Sequence, residues 1–173
     1  LIGQWKDELQ KFAPHLRVLI YHAASGSSSV RKNVDLGKVD LSQVDVILNT
    51  TQTRFPSWLE QCATFHRIIV DESHDSAAFA NSRKLVSSYR WAVTGTPCLK
   101  SLTDLSPQLL FLGHVSDEIA GTVNECHRLQ QTEGEQRSQV FSRLIALLQK
   151  IMIRHTKAQR IAGDVALKLP DLD

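Results

Sequence analysis

The most constraining feature of the sequence is a short apolar run that leads directly into acidic residues. Ile68, Ile69 and Val70 are successive β-forming residues, and Asp71 and Glu72 follow them without a break. A continuous apolar run of this length, bounded by polar residues, is typical of a strand buried on both faces. Open α/β sheets bind their ligands at the carboxyl ends of such strands. The run therefore predicts an α/β fold with acidic side chains at a ligand-binding edge.

These two carboxylates suit phosphate chemistry, although an ordinary structural explanation also fits. Asp71 would hold Mg²⁺ through its water shell, and Glu72 would polarise the water that attacks a γ-phosphate. Alternatively, the acids begin a helix, where the helix dipole favours negative charge. The stretch Asp71-Glu72-Ser73-His74 alone does not separate the two interpretations.

A second predicted strand ends in a similar way. The run Tyr89–Val93 is followed by Thr94-Gly95-Thr96-Pro97, one helix-length segment after the acids. The hydroxyls of Thr94 and Thr96 would hydrogen-bond His74 or the acids. A plain turn after a strand is the alternative, since glycine and proline commonly interrupt regular structure. For His74, the alternative is a hydrogen bond at the start of a helix.

Together, the two stretches resemble motifs II and III of superfamily-two helicases. The form Trp91-Ala92-Val93-Thr94-Gly95-Thr96-Pro97 is similar to the SWI/SNF-type branch, the DNA-dependent ATPases of chromatin remodelling and DNA repair. The resemblance implies a three-layer RecA-like lobe of the P-loop NTPase type, with a mostly parallel sheet. It also implies ATP and Mg²⁺ as cofactors, Asp71 and Glu72 as catalytic residues in a DEAH-like box, Asp71 as the Mg²⁺ ligand through water, and Thr94, Gly95 and Thr96 as a coupling segment.

The amino-terminal part continues the resemblance in the family's order. Leu1–Phe12 has the spacing of an amphipathic helix, and Arg17–His22 is predicted to be a strand. The buried strand Val46–Leu48 precedes hydroxyl and amide residues that are similar to the family's Val-Leu-Thr-Thr-Tyr element. That element tracks the DNA backbone, which makes Thr50 and Thr51 predicted DNA-binding residues. Capping of the next helix by a threonine is the alternative.

The carboxyl-terminal part is predicted to be largely helical. We expect residues 1–113 to form part of the first motor lobe, and 114–173 to form a helical insertion and a linker toward a second lobe. The segment Ile151–Lys157 resembles the family's Met-Leu-Arg-Arg-Thr-Lys element, with His155 in place of the second arginine. By that resemblance, Arg154 and Lys157 are DNA-binding residues. The remaining predicted elements are a helix at Ser76–Ser88, a core helix at Leu102–Leu112, an exposed helical insertion at Ser116–Glu135, a helix at Gln136–Met152 and a strand-like tail at Val165–Pro170.

The composition indicates where in the cell the protein lies more clearly than it indicates what the protein does. The 173 residues carry a net charge of +2, which says little about partners. No run in these residues is long and apolar enough to cross a membrane, and none has the pattern of a signal peptide. The three cysteines lack metal-binding spacing and are expected to be reduced thiols. We expect a nuclear protein, or a cytoplasmic one in a prokaryote.

Two parts of the family's machinery are expected outside this sequence. No Gly-x-x-x-x-Gly-Lys-Ser/Thr motif occurs, so the P-loop should lie before Leu1, and the second lobe with its arginine fingers should follow Asp173. We therefore expect the isolated chain to be inactive, and its partners to be that second lobe, duplex DNA and chromatin or nucleosomes. A non-catalytic docking module for DNA or chromatin is the alternative. An unrelated hydrolase is disfavoured because Ser73 lacks a Gly-x-Ser-x-Gly turn.

Overall fold

The chain divides into two compact units. A computed structural model describes residues 1–21, 35–51, 53–79, 81–114, 117–154, 160–161 and 164–165. The first unit spans Leu1–Val115 and the second spans Ser116–Asp173.

The first unit alternates strands with helices. Its regular elements are α1 (Ile2–Phe12), β1 (Val18–Tyr21), β2 (Val46–Asn49), α2 (Ser57–Cys62), β3 (Thr64–Val70), β4 (Val86–Ala92) and α3 (Leu105–Leu112). Short 3-10 helices lie at Leu36–Lys38, Leu41–Gln43, Ser76–Phe79 and Leu102–Asp104. This order is that of an α/β protein, since strands that alternate with helices can pair in parallel.

The strands of the first unit form two parallel pairs. In the first pair, Val18 of β1 lies opposite Val46 of β2. In the second, β3 pairs with β4 from Thr64 opposite Val86 to Val70 opposite Ala92. Because paired parallel strands run in the same direction, the carboxyl ends of β3 and β4 lie at the same edge of the pair. Both stretches of predicted site residues therefore begin side by side.

The core of the first unit lies on one face of β3 and β4. Ile68 and Val70 are buried there with Phe79 and Phe111, whose ring centroids are 4.9 Å apart. On the opposite face, the side chain of Ile69 is 50% exposed. The prediction that β3 is buried on both faces is therefore wrong for the described residues. Alternate residues of a strand point to opposite faces, and the described core covers only one of them.

The second unit is built on two helices, α4 (Asp117–Arg128) and α5 (Glu135–Leu148), followed by a short antiparallel pair, β5 (Arg160–Ile161) and β6 (Asp164–Val165). The prediction of an exposed insertion at Ser116–Glu135 is correct for its helix and wrong for its exposure. Val123 and Cys126 of α4 are fully buried, and the Cys126 thiol donates to the carbonyl of Val140 at 3.6 Å. Apolar residues spaced three apart lie on one helical face, and α5 covers it.

Several element boundaries differ from prediction. The helix predicted at Ser76–Ser88 is wrong, because only a 3-10 turn forms there and β4 begins at Val86. The helix predicted at Leu102–Leu112 forms as a 3-10 turn and α3, and Pro107 lies in the first turn of α3, where a proline is tolerated. His22 and residues 166–170 lie outside the described residues. Among the described residues, no helix is both long and apolar enough to span a bilayer.

Candidate active site

The predicted catalytic and coupling residues meet at the carboxyl ends of β3 and β4. Backbone pairing continues past the strands, since the Val93 N–H donates to the Val70 carbonyl at 2.9 Å and the Ser73 N–H donates to the Val93 carbonyl at 3.0 Å. These two bonds hold the acidic stretch after β3 against the threonine-containing stretch after β4. The parallel register of β3 and β4, which ends with Val70 opposite Ala92, thus continues into the two stretches that follow the strands.

His74 contacts both stretches. Its Nδ1 atom lies 3.0 Å from the Thr94 hydroxyl oxygen and 3.2 Å from the Glu72 carboxylate. The Thr94 oxygen also accepts a hydrogen bond from the Thr96 N–H at 3.1 Å. The expected contact between Thr94 and His74 is thus present, whereas Thr96 joins it through its backbone. The imidazole connects the acid to the end of the neighbouring strand.

The backbone of Glu72 is in the left-handed region, with a φ of 51°. A residue with a side chain adopts this conformation at a cost of about 1–3 kcal/mol, and such residues concentrate at functional sites. The turn ends β3 at Val70 and leaves the Glu72 side chain 55% exposed. The acid is therefore held out from the sheet edge, where a ligand can approach it. Helix-start capping does not explain this acid, since the next element is only the short 3-10 turn Ser76–Phe79.

Both oxygens of Asp71 accept hydrogen bonds. The Glu72 N–H donates to Oδ1 at 2.9 Å, and the indole N–H of Trp5 donates to Oδ2 at 3.0 Å. Each carboxylate oxygen can accept two bonds, so among the residues that the structure describes one position on each stays available. Sequence reasoning missed Trp5 because it lies 66 residues away and its spacing marked it only as part of an amphipathic helix.

The buried part of the site centres on Ser73 and Gln108. The Ser73 hydroxyl donates to Gln108 Oε1 at 3.4 Å, and Gln108 Nε2 donates to the carbonyls of Pro97 at 2.6 Å and Asp104 at 2.9 Å. The leucine-rich segment was predicted to be core alone. Gln108 is the one amide side chain in the apolar helix α3, and this is the feature of the sequence that could have indicated a polar contact there. A buried, hydrogen-bonded Ser73 is unsuited to be a nucleophile.

The turn before α3 is itself fixed by a carboxylate. The N–H groups of Lys100 and Ser101 donate to Asp104 at 2.7 and 3.1 Å, which holds the pKa of that carboxyl below its usual range. Ser101 in turn accepts a bond from the Thr103 N–H, completing a capping box. This arrangement sets where α3 begins and so where Gln108 lies. Leu99 and Lys100 lie in this turn.

The residues present fit a magnesium ion held indirectly. No group of three or more His, Cys, Asp or Glu side chains among the described residues could enclose a metal ion. Mg²⁺ commonly keeps several waters and is bound by one or two carboxylates together with substrate phosphates. The partly exposed Asp71, with a free acceptor position on each oxygen, meets that requirement.

The predicted DNA-binding threonines lie apart from the acids, in a hydrogen-bonded turn after β2. The Thr50 hydroxyl is 3.2 Å from that of Thr53, and the Asn81 amide donates to the carbonyls of Thr51 at 2.5 Å and Thr53 at 3.1 Å. Neither Thr51 nor Thr53 caps α2, which begins after Pro56 without a side-chain cap. The capping alternative is therefore wrong, and the side chain of Asn81 holds the turn by these two hydrogen bonds. Thr51 is exposed, as is Arg154 in the second unit, while Lys157 lies outside the described residues.

Sequence comparison agrees with the fold. The family model described as "SNF2-related domain" matches residues 1–171. The chain is 33% identical over 133 residues to DNA repair protein RAD5 of Mycosarcoma maydis, covering 65% of this chain and 9% of that protein. It is 28% identical over 187 residues to the human helicase-like transcription factor, covering 99% of this chain and 17% of that protein. It is also 25% identical over 179 residues to the ISWI chromatin-remodeling complex ATPase CHR17 of Arabidopsis thaliana, with 98% of this chain and 15% of that protein covered.

The parallel α/β fold, together with the match to the family model, identifies the chain as a segment of the SWI/SNF-type class of helicase superfamily two. Within that class, the chain belongs to the SNF2-related family. The predicted SWI/SNF-type resemblance and the RecA-like α/β fold are thereby confirmed. The chain spans less than a fifth of the length of these relatives.

Proposed function

We propose that this chain supplies the hydrolytic acids and a coupling segment to an ATP-driven motor that moves along duplex DNA. The observation that carries the proposal is the double contact of His74 with Glu72 and with Thr94. A group that touches both the acid and the end of the adjacent strand is placed to transmit the state of the nucleotide. The names of the relatives, which refer to DNA repair and chromatin remodelling, support DNA as the track.

Each acid has a separate task in this proposal. Glu72, exposed on its left-handed turn, orients the attacking water as a general base. Asp71 keeps its charge facing the phosphates and binds the water shell of the metal. Mg²⁺, when bound, neutralises charge that develops on the β- and γ-phosphate oxygens. Ser73 and Gln108 hold the turn that carries both acids.

We assign the grip on DNA to residues that contact phosphates without reading bases. Thr50, Thr51, Arg154 and Lys157 carry hydroxyl or cationic groups that donate to phosphate oxygens. Such contacts do not depend on sequence and are weakened by salt. Duplex DNA, packaged as chromatin in a eukaryotic nucleus, is the proposed partner, together with a second RecA-like lobe. The protein would accordingly lie in the nucleus if it comes from a eukaryote and in the cytoplasm if it comes from a prokaryote.

The isolated chain is proposed to be inactive. Residues 1–173 contain no Gly-x-x-x-x-Gly-Lys-Ser/Thr motif, and this motif is what cradles the phosphates in such enzymes. A phosphate-release assay on the chain, with and without duplex DNA, should give no turnover above buffer. DNA-stimulated turnover by the chain alone would contradict this.

The decisive experiment uses Glu72→Gln in a protein that carries this chain together with a P-loop segment and a second lobe. Turnover should fall to background, while binding of a fluorescent ATP analogue stays within about twofold, because the amide cannot accept the proton. Glu133→Gln is the matched control, since Glu133 is exposed in the second unit. Retained hydrolysis in Glu72→Gln would remove Glu72 from the role of base. An unaltered protein that binds DNA without hydrolysing ATP would favour a docking module instead.

A further inference from the structure

We infer that Trp5 is a positioning residue, which fixes the carboxylate of Asp71 for Mg²⁺ through a neutral hydrogen bond. This inference deepens the proposed function and rests on it. It begins from one contact, between the indole N–H of Trp5 and Asp71 Oδ2 at 3.0 Å. The contact joins α1 to the end of β3, two elements that are far apart in sequence.

The chemistry of the donor distinguishes this contact from an ordinary ion pair. An indole donates one hydrogen bond, accepts none and carries no charge. A lysine or arginine at the same place would neutralise Asp71 and compete with a divalent cation. Trp5 instead orients the carboxylate while leaving its negative charge for the metal.

The other oxygen of Asp71 is fixed as well. Its Oδ1 atom accepts the Glu72 N–H at 2.9 Å. With one bond on each oxygen, rotation of the carboxylate about its Cβ–Cγ bond would break both. The remaining acceptor position on each oxygen thus points in a defined direction, which suits the fixed octahedral water shell of Mg²⁺.

The packing of α1 argues that the N–H group matters, and not only the ring. None of the described residues of α1 is buried, and the side chain of Trp5 remains 38% exposed. A phenylalanine at this position would keep most of the ring contact. The main contribution specific to tryptophan is therefore the indole N–H that donates to Asp71. Trp58 is a natural control because it is 37% exposed and lies on α2.

The first test observes the contact directly. The chain contains three tryptophans, so its ¹H–¹⁵N spectrum has three indole signals, which Trp→Phe variants assign. In Asp71→Ala, the Trp5 indole signal should move and its hydrogen should exchange faster, while the Trp58 signal stays in place. Asp71→Leu, which is close in size and has no acceptor, serves as a second variant if Asp71→Ala does not fold. An unmoved Trp5 signal in a folded variant would overturn the inference.

The second test measures the consequence in a protein that carries a P-loop segment and a second lobe. Relative to Trp58→Phe, Trp5→Phe should raise the Mg²⁺ concentration for half-maximal hydrolysis by about tenfold, the equivalent of one hydrogen bond to a charged group. Binding of the ATP analogue without Mg²⁺ and the unfolding midpoint should match those of Trp58→Phe. An unchanged Mg²⁺ requirement would overturn the inference.

The two proposals fail in different ways. If Glu72→Gln abolishes hydrolysis and Trp5→Phe leaves the Mg²⁺ requirement unchanged, only the role of Trp5 is wrong. If Glu72→Gln leaves hydrolysis intact, the proposed function is wrong even where the indole signal confirms the contact, and the role of Trp5 toward Mg²⁺ falls with it.

Discussion

The Nδ1 atom of His74 lies 3.0 Å from the hydroxyl oxygen of Thr94, which follows it by 20 residues. The same ring atom is 3.2 Å from the Glu72 carboxylate. One imidazole nitrogen cannot hold both partners equally well, because it is either a donor or an acceptor in the neutral ring. A change of charge near Glu72 therefore alters how strongly His74 holds Thr94, and this is the physical basis for coupling in the proposed motor.

Replacement of Thr94 by valine should uncouple DNA from hydrolysis. The variant keeps the shape of the side chain and removes the oxygen that contacts both His74 and the Thr96 N–H. In a protein with both lobes, stimulation of ATP hydrolysis by duplex DNA should fall by about five- to tenfold, the worth of about one hydrogen bond. Phosphate release with and without DNA measures this.

The control for this variant is Thr132→Val. The Thr132 hydroxyl donates to the Leu129 carbonyl on the exposed surface of the second unit, away from the acids in sequence. Its DNA stimulation should equal that of the unaltered protein. Equal stimulation in the Thr94 variant would show that the contact with His74 is only structural.

Gln108→Leu should destabilise the first unit although it makes the core more apolar. The change is close in size, but it removes the donor that the Pro97 and Asp104 carbonyls share and the acceptor of Ser73. Unsatisfied buried polar groups cost about 1–3 kcal/mol each, so the free energy of unfolding should fall by at least about 1 kcal/mol. Urea denaturation of the chain measures the change.

An exposed glutamine offers the comparison. Gln139 lies on α5 and contacts only Glu135 at 3.2 Å among the partners described, so Gln139→Leu should change stability by less than about 0.5 kcal/mol. Equal effects of the two variants would mean that the amide of Gln108 does not stabilise the turn.

The parts of the fold that sequence predicted well depend on local patterns. The helix Ile2–Phe12 and the strand Thr64–Val70 follow from periodicity and from an unbroken apolar run. Between Ser76 and Val86, the apolar residues fit a helix as well as a strand, and pairing of Val86 with Thr64 decided the outcome. Local pattern cannot reveal a partner strand that lies more than a helix-length away.

The site shows the same division. The positions of Asp71 and Thr94 after neighbouring strands were predictable, because parallel strands bring their carboxyl ends together. The contacts of Trp5 and Gln108 were not, since each depends on how a helix packs onto the sheet edge. The left-handed backbone of Glu72 was also unpredictable, because a glutamate gives no local signal for it.

The ion pair between Arg17 and Asp45 should make stability depend on pH. Arg17 donates to Asp45 through Nε at 2.8 Å, through Nη2 at 2.9 Å and through its backbone N–H at 2.8 Å, just before β1 and β2 pair. The guanidinium bonds hold the pKa of the Asp45 carboxyl well below its usual range. A carboxyl with a lowered folded-state pKa stabilises fully above its unfolded pKa, near 4, and loses that contribution as the pH falls toward the folded value.

Asp45→Asn should therefore be less stable than the unaltered chain at pH 5–7, and the difference should shrink below about pH 4. Urea midpoints at pH 7, 5, 4 and 3 test this. Asp7→Asn makes the same change of formal charge on the exposed surface of α1 and should give no such convergence. A difference that stays constant down to pH 3 would contradict the pairing.

Cysteine alkylation should report the stability of the second unit separately from the first. Cys126 is fully buried on α4, and burial raises the pKa of its thiol, so little reactive thiolate is present or accessible in the folded unit. Cys98 in the first unit is exposed. With iodoacetamide at pH 8, an opening free energy of about 3 kcal/mol would make labelling of Cys126 about 100-fold slower than in the unfolded chain.

Two adjacent residues of α5 then test the core of that unit. Leu144 is buried and Ile145 is 54% exposed. Leu144→Ala should cost about 2–5 kcal/mol and bring labelling of Cys126 close to the unfolded rate, whereas Ile145→Ala should leave it unchanged. Peptide mapping by mass spectrometry follows each thiol, and labelling of Cys98 should not respond to either variant. If Cys126 reacts as fast as Cys98 in the unaltered chain, α4 and α5 do not form a stable core in solution.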